Sequence, residues 1–268
     1  MTHRLTAAAL VAALAALVAA VSLFPPPAAA RERETVHQTY EAGSGARLSL
    51  KNLNGDVRIE GWDKSTFDVT AVKTAETKER LDDVDIEFRM EGDHLTIEVD
   101  HDNDHRWSRH DEGAGVEFTI RVPRRAEIRE VDLVNGHLSL AGISGDVDAS
   151  SVNGDVSGEQ LGGAVELSAV NGEVSLIVSG ESESIDLSSV NGGVHLVLPR
   201  KIDAHIEAST VHGSIVSSDG LEVDRSNFVG SSLKGTIGRG GMKIDLDTVN
   251  GSIEIRREGD AGAREREN

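Results

Sequence analysis

Asp146-Val147-Asp148-Ala149-Ser150-Ser151-Val152-Asn153-Gly154-Asp155-Val156 decides the fold, because the chain keeps rewriting it. The stretch returns as Ala164-Val165-Glu166-Leu167-Ser168-Ala169-Val170-Asn171-Gly172-Glu173-Val174, then as Ser184-Ile185-Asp186-Leu187-Ser188-Ser189-Val190-Asn191-Gly192-Gly193-Val194. Shorter echoes are Thr210-Val211-His212-Gly213-Ser214-Ile215 and Thr248-Val249-Asn250-Gly251-Ser252-Ile253. Turn positions fall at 135, 153, 171, 191, 212, 234 and 250, with gaps of 18, 18, 20, 21, 22 and 16 residues. A period of that length marks a stacked repeat.

Positions can be counted from the Asn. Six residues before it stand Val147, Val165, Ile185, Ile206, Phe228 and Ile244, and four before it Ala149, Leu167, Leu187, Ala208 and Leu246. One before it stand Val152, Val170, Val190, Val211, Leu233 and Val249, and three after it Val156, Val174, Val194, Ile215, Ile237 and Ile253. All four sets are assigned to the core. Polar residues fill the gaps, so the pattern alternates on both sides of a turn, as half-buried strands do.

Further turn residues lie midway, at Gly145, Gly162-Gly163, Gly180, Pro199, Gly220 and Gly240-Gly241. Two strands and two turns per 18 to 22 residues predict an all-β, single-chain parallel β-solenoid of the β-helix or β-roll kind. The alternative is an antiparallel meander or sandwich, since Asn-Gly is also a strong hairpin signal. Stacked coils would place Asn54, Asn135, Asn153, Asn171, Asn191 and Asn250 in a ladder of amides, interrupted at His212 and Lys234. The following glycines would supply the positive φ of the corner.

Composition narrows the function. The 268 residues carry 27 Lys and Arg against 46 Asp and Glu, a formal charge of −19, which disfavours nucleic acid and anionic lipid as partners. Cys is absent, which removes disulfides, thiol chemistry and a lipidated cysteine. Aromatic residues make up 3%, too few for a sugar-stacking platform but enough for a thin aliphatic core.

Residues 1–30 read as a signal peptide: Arg4, the apolar run Leu5 to Phe24, three prolines, then Ala28-Ala29-Ala30 before the cleavage point. The chain is therefore expected to be exported, periplasmic or extracellular. Left uncleaved, the same segment is long enough to anchor it in a membrane. Residues 31–46 form a leader. Residues 47–125 form an N-terminal β region that opens with a first repeat copy, Leu48 to Ile59, and continues as a more irregular antiparallel cap. Residues 126–255 are expected to be uninterrupted coils, and 256–268 a disordered tail.

The densest polar cluster lies at 93–111, where His94, His101, His105 and His110 stand among aspartates as candidate metal ligands; a solvated loop has the same composition. Asp56, Asp146, Asp155 and Glu173 beside the turns suggest stacked calcium ligands, but the glycine-rich calcium repeat of β-rolls is missing. No serine sits in a triad motif, no glycine loop fits a phosphate, and no carboxylate pair stands out. No catalytic residue and no cofactor are assigned.

The repeated Val-Asn-Gly-Asp/Glu-Val, the opening Leu48 to Ile59 followed by Gly61-Trp62-Asp63, and the signal peptide together resemble the bacterial DUF4097, or adhesin-like, family over about residues 35–255. That resemblance implies a repetitive solenoid-like all-β fold in exported or membrane-associated envelope proteins, and no catalytic residues. The leading expectation is a non-enzymatic, adhesin-like envelope protein whose regular acidic faces serve structure or binding of an unknown ligand, with an envelope protein or a surface glycan as candidate partners. A carbohydrate-active enzyme of the β-helix type and a metal-binding protein using the 93–111 loop are the alternatives.

Overall fold

The computed structural model describes residues 31–101, 114–178, 182–218, 221, 223–225 and 230–259. The apolar N-terminal segment 1–30 and most of the tail lie outside these residues. In chain order the strands are β1 Glu32–Glu41, β2 Arg47–Asn54, β3 Val57–Trp62, β4 Thr66–Ala75, β5 Val84–Glu91, β6 His94–His101 and β7 Gly115–Pro123. They continue as β8 Glu127–Asn135, β9 Leu138–Ala141, β10 Val147–Asn153, β11 Val156–Glu159, β12 Gly163–Asn171, β13 Val174–Ile177 and β14 Ser182–Asn191. The last are β15 Val194–Leu198, β16 Ala204–His212, β17 Ile215–Ser217, β18 Val223–Arg225, β19 Ser231–Ile237, β20 Met242–Asn250 and β21 Ile253–Arg257. Among the described residues one short helix, α1 (Lys78–Asp82), is capped by the Thr77 hydroxyl and buries Leu81. Among the described residues no helix is long and apolar enough to cross a membrane.

The two arms of each Asn-Gly corner enter different sheets. Sheet I runs β1-β4-β7-β3-β9-β11-β13-β15-β21-β17, and sheet II runs β18-β19-β16-β20-β14-β12-β10-β8-β2-β6-β5. Like stacks on like in parallel: Val147 faces Val165, Ala149 faces Leu167 and Asn153 faces Asn171 between β10 and β12. Val156 faces Val174 between β11 and β13 in the other sheet. The antiparallel meander is therefore excluded, and the chain is all-β with two facing, mostly parallel sheets.

Three details depart from the sequence reading. The valines one residue before each Asn point outward, with Val152, Val170, Val190 and Val249 each 40–41% exposed. Parity explains this: if positions −6 and −4 face inward, strict alternation turns −2 inward and −1 outward. The inward −2 residues are Asn52, Leu133, Ser151, Ala169, Ser189, Thr248 and Thr210, all buried. Second, Lys234 is no corner. It lies within β19, which runs antiparallel to β16, with Leu233 buried; Phe228, six residues before it, lies outside the described residues. Third, the coils between 126 and 255 are not stacked in chain order, because β20 and β21 insert between β14–β15 and β16–β17.

The N-terminal insert also proves partly repetitive. β6 pairs parallel with β2, and β7 pairs parallel with β3, so they form a further coil beside β2–β3. The coil β2–β3 stacks on β8–β9 across more than sixty residues of sequence, aligning Asn54 with Asn135. Antiparallel β4 and β1 extend sheet I, and antiparallel β5 ends sheet II. Phe67 and Phe118 fill the core at that end, whereas the later coils close over Val, Ile, Leu and Ala.

Candidate binding face

The corner is where the repeat is most constrained. Asn135 Nδ2 donates to Asn54 Oδ1 at 2.8 Å. Asn153 donates to Asn135, Asn171 to Asn153, Asn191 to Asn171 and Asn250 to Asn191, each at 2.9 Å. Such a chain of amide dipoles is mutually polarising. The glycines beside them are required mainly by closeness. A Cβ on Gly154 would lie 2.0 Å from the Gly136 carbonyl oxygen, and one on Gly192 1.9 Å from that of Gly172. Positive φ holds only at Gly55, Gly136 and Gly154 among the corner glycines. From inside, Ser151, Ser189, Thr248 and Thr210 hydroxyls donate to the glycine carbonyls of neighbouring coils.

The corner acids act as struts between coils. Asp56 Oδ1 accepts the His137 N–H at 2.9 Å, Asp155 Oδ1 that of Glu173 at 2.8 Å, and Asp146 Oδ1 that of Ala164 at 2.9 Å. This accounts for Asp56, Asp146 and Asp155 without calcium. Glu173 lies 3.5 Å from His195, whose other ring nitrogen is 3.3 Å from Glu254. Of the candidate metal ligands, His94 begins β6 and its Nε2 is 2.9 Å from Ser49 Oγ, while His101 ends β6. His105 and His110 lie outside the described residues. Among the described residues no group of three or more His, Asp or Glu side chains is arranged to hold a metal.

What the sequence reading missed lies on the outer surface of sheet II, where three columns run along the stack. The first is apolar: Leu53, Val134, Val152, Val170, Val190, Val249 and Val211, in stacking order, are 37–43% exposed. The second holds Lys51, Asp132, Ser150, Ser168, Ser188, Asp247 and Ser209. Ser150 donates to Asp132 at 2.7 Å, and Ser209 donates to Asp247. The third is acidic: Asp148, Glu166, Asp186, Asp245 and Glu207 face one another rung by rung. Rungs repeat about every 4.8 Å.

The acidic column borders a groove of about 540 Å³, whose lining also includes Arg129 and Lys243. Partial burial, then the Asp132 and Glu130 carboxylates, push the Asp148 carboxyl up. Partial burial, then Asp245 and Asp247, do the same to Asp186 against the opposing pull of Lys243. Elsewhere the charge is answered: Lys51 bonds Glu130 at 2.9 Å, lowering the Glu130 carboxyl, and Lys243 reaches Asp245 at 2.7 Å. The face joins an apolar rail to under-compensated negative charge.

The model of the Toastrack DUF4097 family matches residues 44–256. Among solved structures, a candidate cell adhesion protein from Clostridium sporogenes is 15% identical, with 85% of this chain and 100% of that one covered at a TM-score of 0.50. A candidate adhesin from Bacteroides fragilis is 11% identical over 83% of this chain and 97% of its own, with a TM-score of 0.32. The first of these likenesses speaks to the fold alone. No curated protein matches. With four-fifths of its length inside the family model, and the Asn-Gly coils aligned as the repeat requires, the chain belongs to the Toastrack DUF4097 family.

Proposed function

We propose that this chain is a non-enzymatic protein of the cell envelope, a two-sheet parallel β-solenoid that holds a protein partner against the outer face of sheet II. The carrying observation is the seven-rung apolar column from Leu53 to Val211. Aliphatic residues exposed in register along a strongly acidic chain are what an interface needs and what a purely structural rod would replace with polar ones. The adjoining Asp and Glu column sets the partner's chemistry: apolar side chains flanked by Lys or Arg. A protein fits better than a glycan, since no aromatic residue stands in the three columns to stack on a sugar. The apolar N-terminal segment supports placement outside the cytoplasm.

The test is a photo-crosslinking amino acid placed at Val170, on the rail, and at Ser175, on the outer face of sheet I, in the source cell. The expected result is a discrete adduct from position 170 that weakens with salt and is lost in the Val152→Ser/Val190→Ser double variant. Equal adducts from both positions, or none from position 170, would overturn the proposal.

A further inference from the structure

The N-terminal end of the stack is a step. Beyond the coil β6–β7 the sheets continue as β4 and β5, and sheet I then carries one strand more, β1, with no counterpart in sheet II. The inner side chains at the step are Val36, Gln38 and Tyr40 of β1 and Ile86, Phe88 and Met90 of β5. Gln38 is exposed and the other five are only half-buried, although equivalent positions in the middle coils, such as Val147 and Val165, are closed to solvent. The Tyr40 and Phe88 rings meet across the core at 6.4 Å.

Both strands at the step present open hydrogen-bonding edges, whose phases follow from neighbouring bonds. Ala42 N–H donates to Ser65 O, so the even residues of β1 turn their backbone groups to β4, and Arg33, Thr35, His37, Thr39 and Glu41 turn theirs outward. Arg47 N–H donates to Asp93 O, which turns His94, Thr96, Glu98 and Asp100 of β6 toward β5. Their opposite numbers are the odd residues of β5, so Val84, Ile86, Phe88 and Met90 face outward. The Ile86 N–H accordingly donates to the Asp85 carboxylate at 2.9 Å. Among the described residues no strand covers either edge. The other end is finished by edge strands of three residues each, β17 and β18. Short edges guard against pairing; β1 has ten residues, no Pro and no Lys, and its acids and Arg33 sit at its ends.

We propose that a second copy of this chain fills the step. β1 runs with β7, and β5 runs against β6, so the two edge strands point the same way. Half a turn about an axis along the strands keeps that direction and lays each β1 beside the second copy's β5, as parallel neighbours. Two β1 strands then complete one coil. Residues level with each other stay level, so the Tyr40–Phe88 contact sets the register. On the outside His37, Thr39 and Glu41 come opposite the second copy's Asp85, Glu87 and Arg89. Inside, Val36, Gln38 and Tyr40 come opposite its Val84, Ile86 and Phe88.

Two checks favour this register. In a parallel pair an edge-facing residue bonds the two that flank its opposite number. Thr39 N–H would thus donate to the second copy's Ile86 O, and Thr39 O accept from its Phe88 N–H, which are the groups that face outward. Glu41 also meets Arg89, whereas sliding by two residues either way would set it against Glu87 or Glu91. The inference rests on the stack end and is independent of the partner proposed for sheet II.

The experiment follows the mass of the full chain by light scattering over a concentration series, and adds cysteine pairs to a chain that has none. A dimer is expected. Glu41→Cys/Arg89→Cys should give disulfide-linked dimers on mild oxidation, since within one copy the two positions lie on different sheets and both point away from the core. Thr39→Pro removes a donor that β4 does not use and should weaken the dimer at least about tenfold. A chain still monomeric at about 100 μM would overturn the proposal. So would a dimer in which positions 41 and 89 fail to link, or one that Thr39→Pro leaves undiminished. Linkage by His37→Cys alone would also refute it, because that reports two β1 strands paired edge to edge, with the step in sheet II left empty.

Discussion

Replacing Gly192 by Ala tests whether the corner is set by closeness of approach. The added Cβ would lie 1.9 Å from the Gly172 carbonyl oxygen and 2.6 Å from its carbon, so the coils must part by more than an ångström there. Three bonds cross that boundary or adjoin it: Ser189 Oγ to Gly172 O at 2.9 Å, Asn191 to Asn171 at 2.9 Å, and Gly192 N to Asn250 O at 3.2 Å. Losing them costs about 0.5–1.5 kcal/mol each, and overpacking against backbone adds about 1–3 kcal/mol. The sum, about 3–7 kcal/mol, is a large part of an ordinary domain's stability of about 5–15 kcal/mol. Thermal unfolding followed by circular dichroism should show Tm falling by about 10–20 °C. Gly92→Ala is the control, since its Cβ meets nothing within 4 Å and only its φ of +62° opposes the change. That strain costs about 1–2 kcal/mol. If Gly192→Ala melts no lower than Gly92→Ala, the close-approach argument is wrong.

The remaining expectations concern the ladder and the acidic column. Asn153→Ala removes two inter-coil amide bonds and Asn54→Ala one, so urea unfolding should show losses of about 1–2 and 0.5–1 kcal/mol, the interior rung costing more. Asp148 and Asp186 have carboxyls raised in the folded state, so folding takes up protons there and their charged forms oppose it at neutral pH. Asp148→Asn and Asp186→Asn should therefore raise Tm at pH 7. The gain should shrink as pH falls through the raised carboxyl range and vanish below the ordinary value of 3.8, where the native side chain is protonated in both states. A gain independent of pH would show that the column is not electrostatically strained.

The repeat was legible because stacking in register demands the same residue type at the same offset, and Val147, Val165, Ile185 and Ile244 declare that directly. The Asn ladder followed from the same rule, since identical amides one rung apart can pair. The inward or outward sense of Val152 and its equivalents was legible too, through parity, but a valine beside a turn reads as core unless the alternation is counted through Ser151. The four-histidine cluster could not be judged from composition, because whether side chains converge is set by the path of the backbone, which closeness in sequence does not fix.

The sequence by itself determined the coil: its length, its corner chemistry, its aliphatic interior and the acidic surface, all of which are local and repeat with the period. The tertiary structure alone decided which coil lies beside which. β20–β21 enters between coils that precede it, and β6–β7 precedes β2–β3 in the stack, because parallel coils of equal width and matching inner faces are interchangeable neighbours. Only that order joins valines distant in sequence into a single exposed rail and leaves His212 at the last parallel corner.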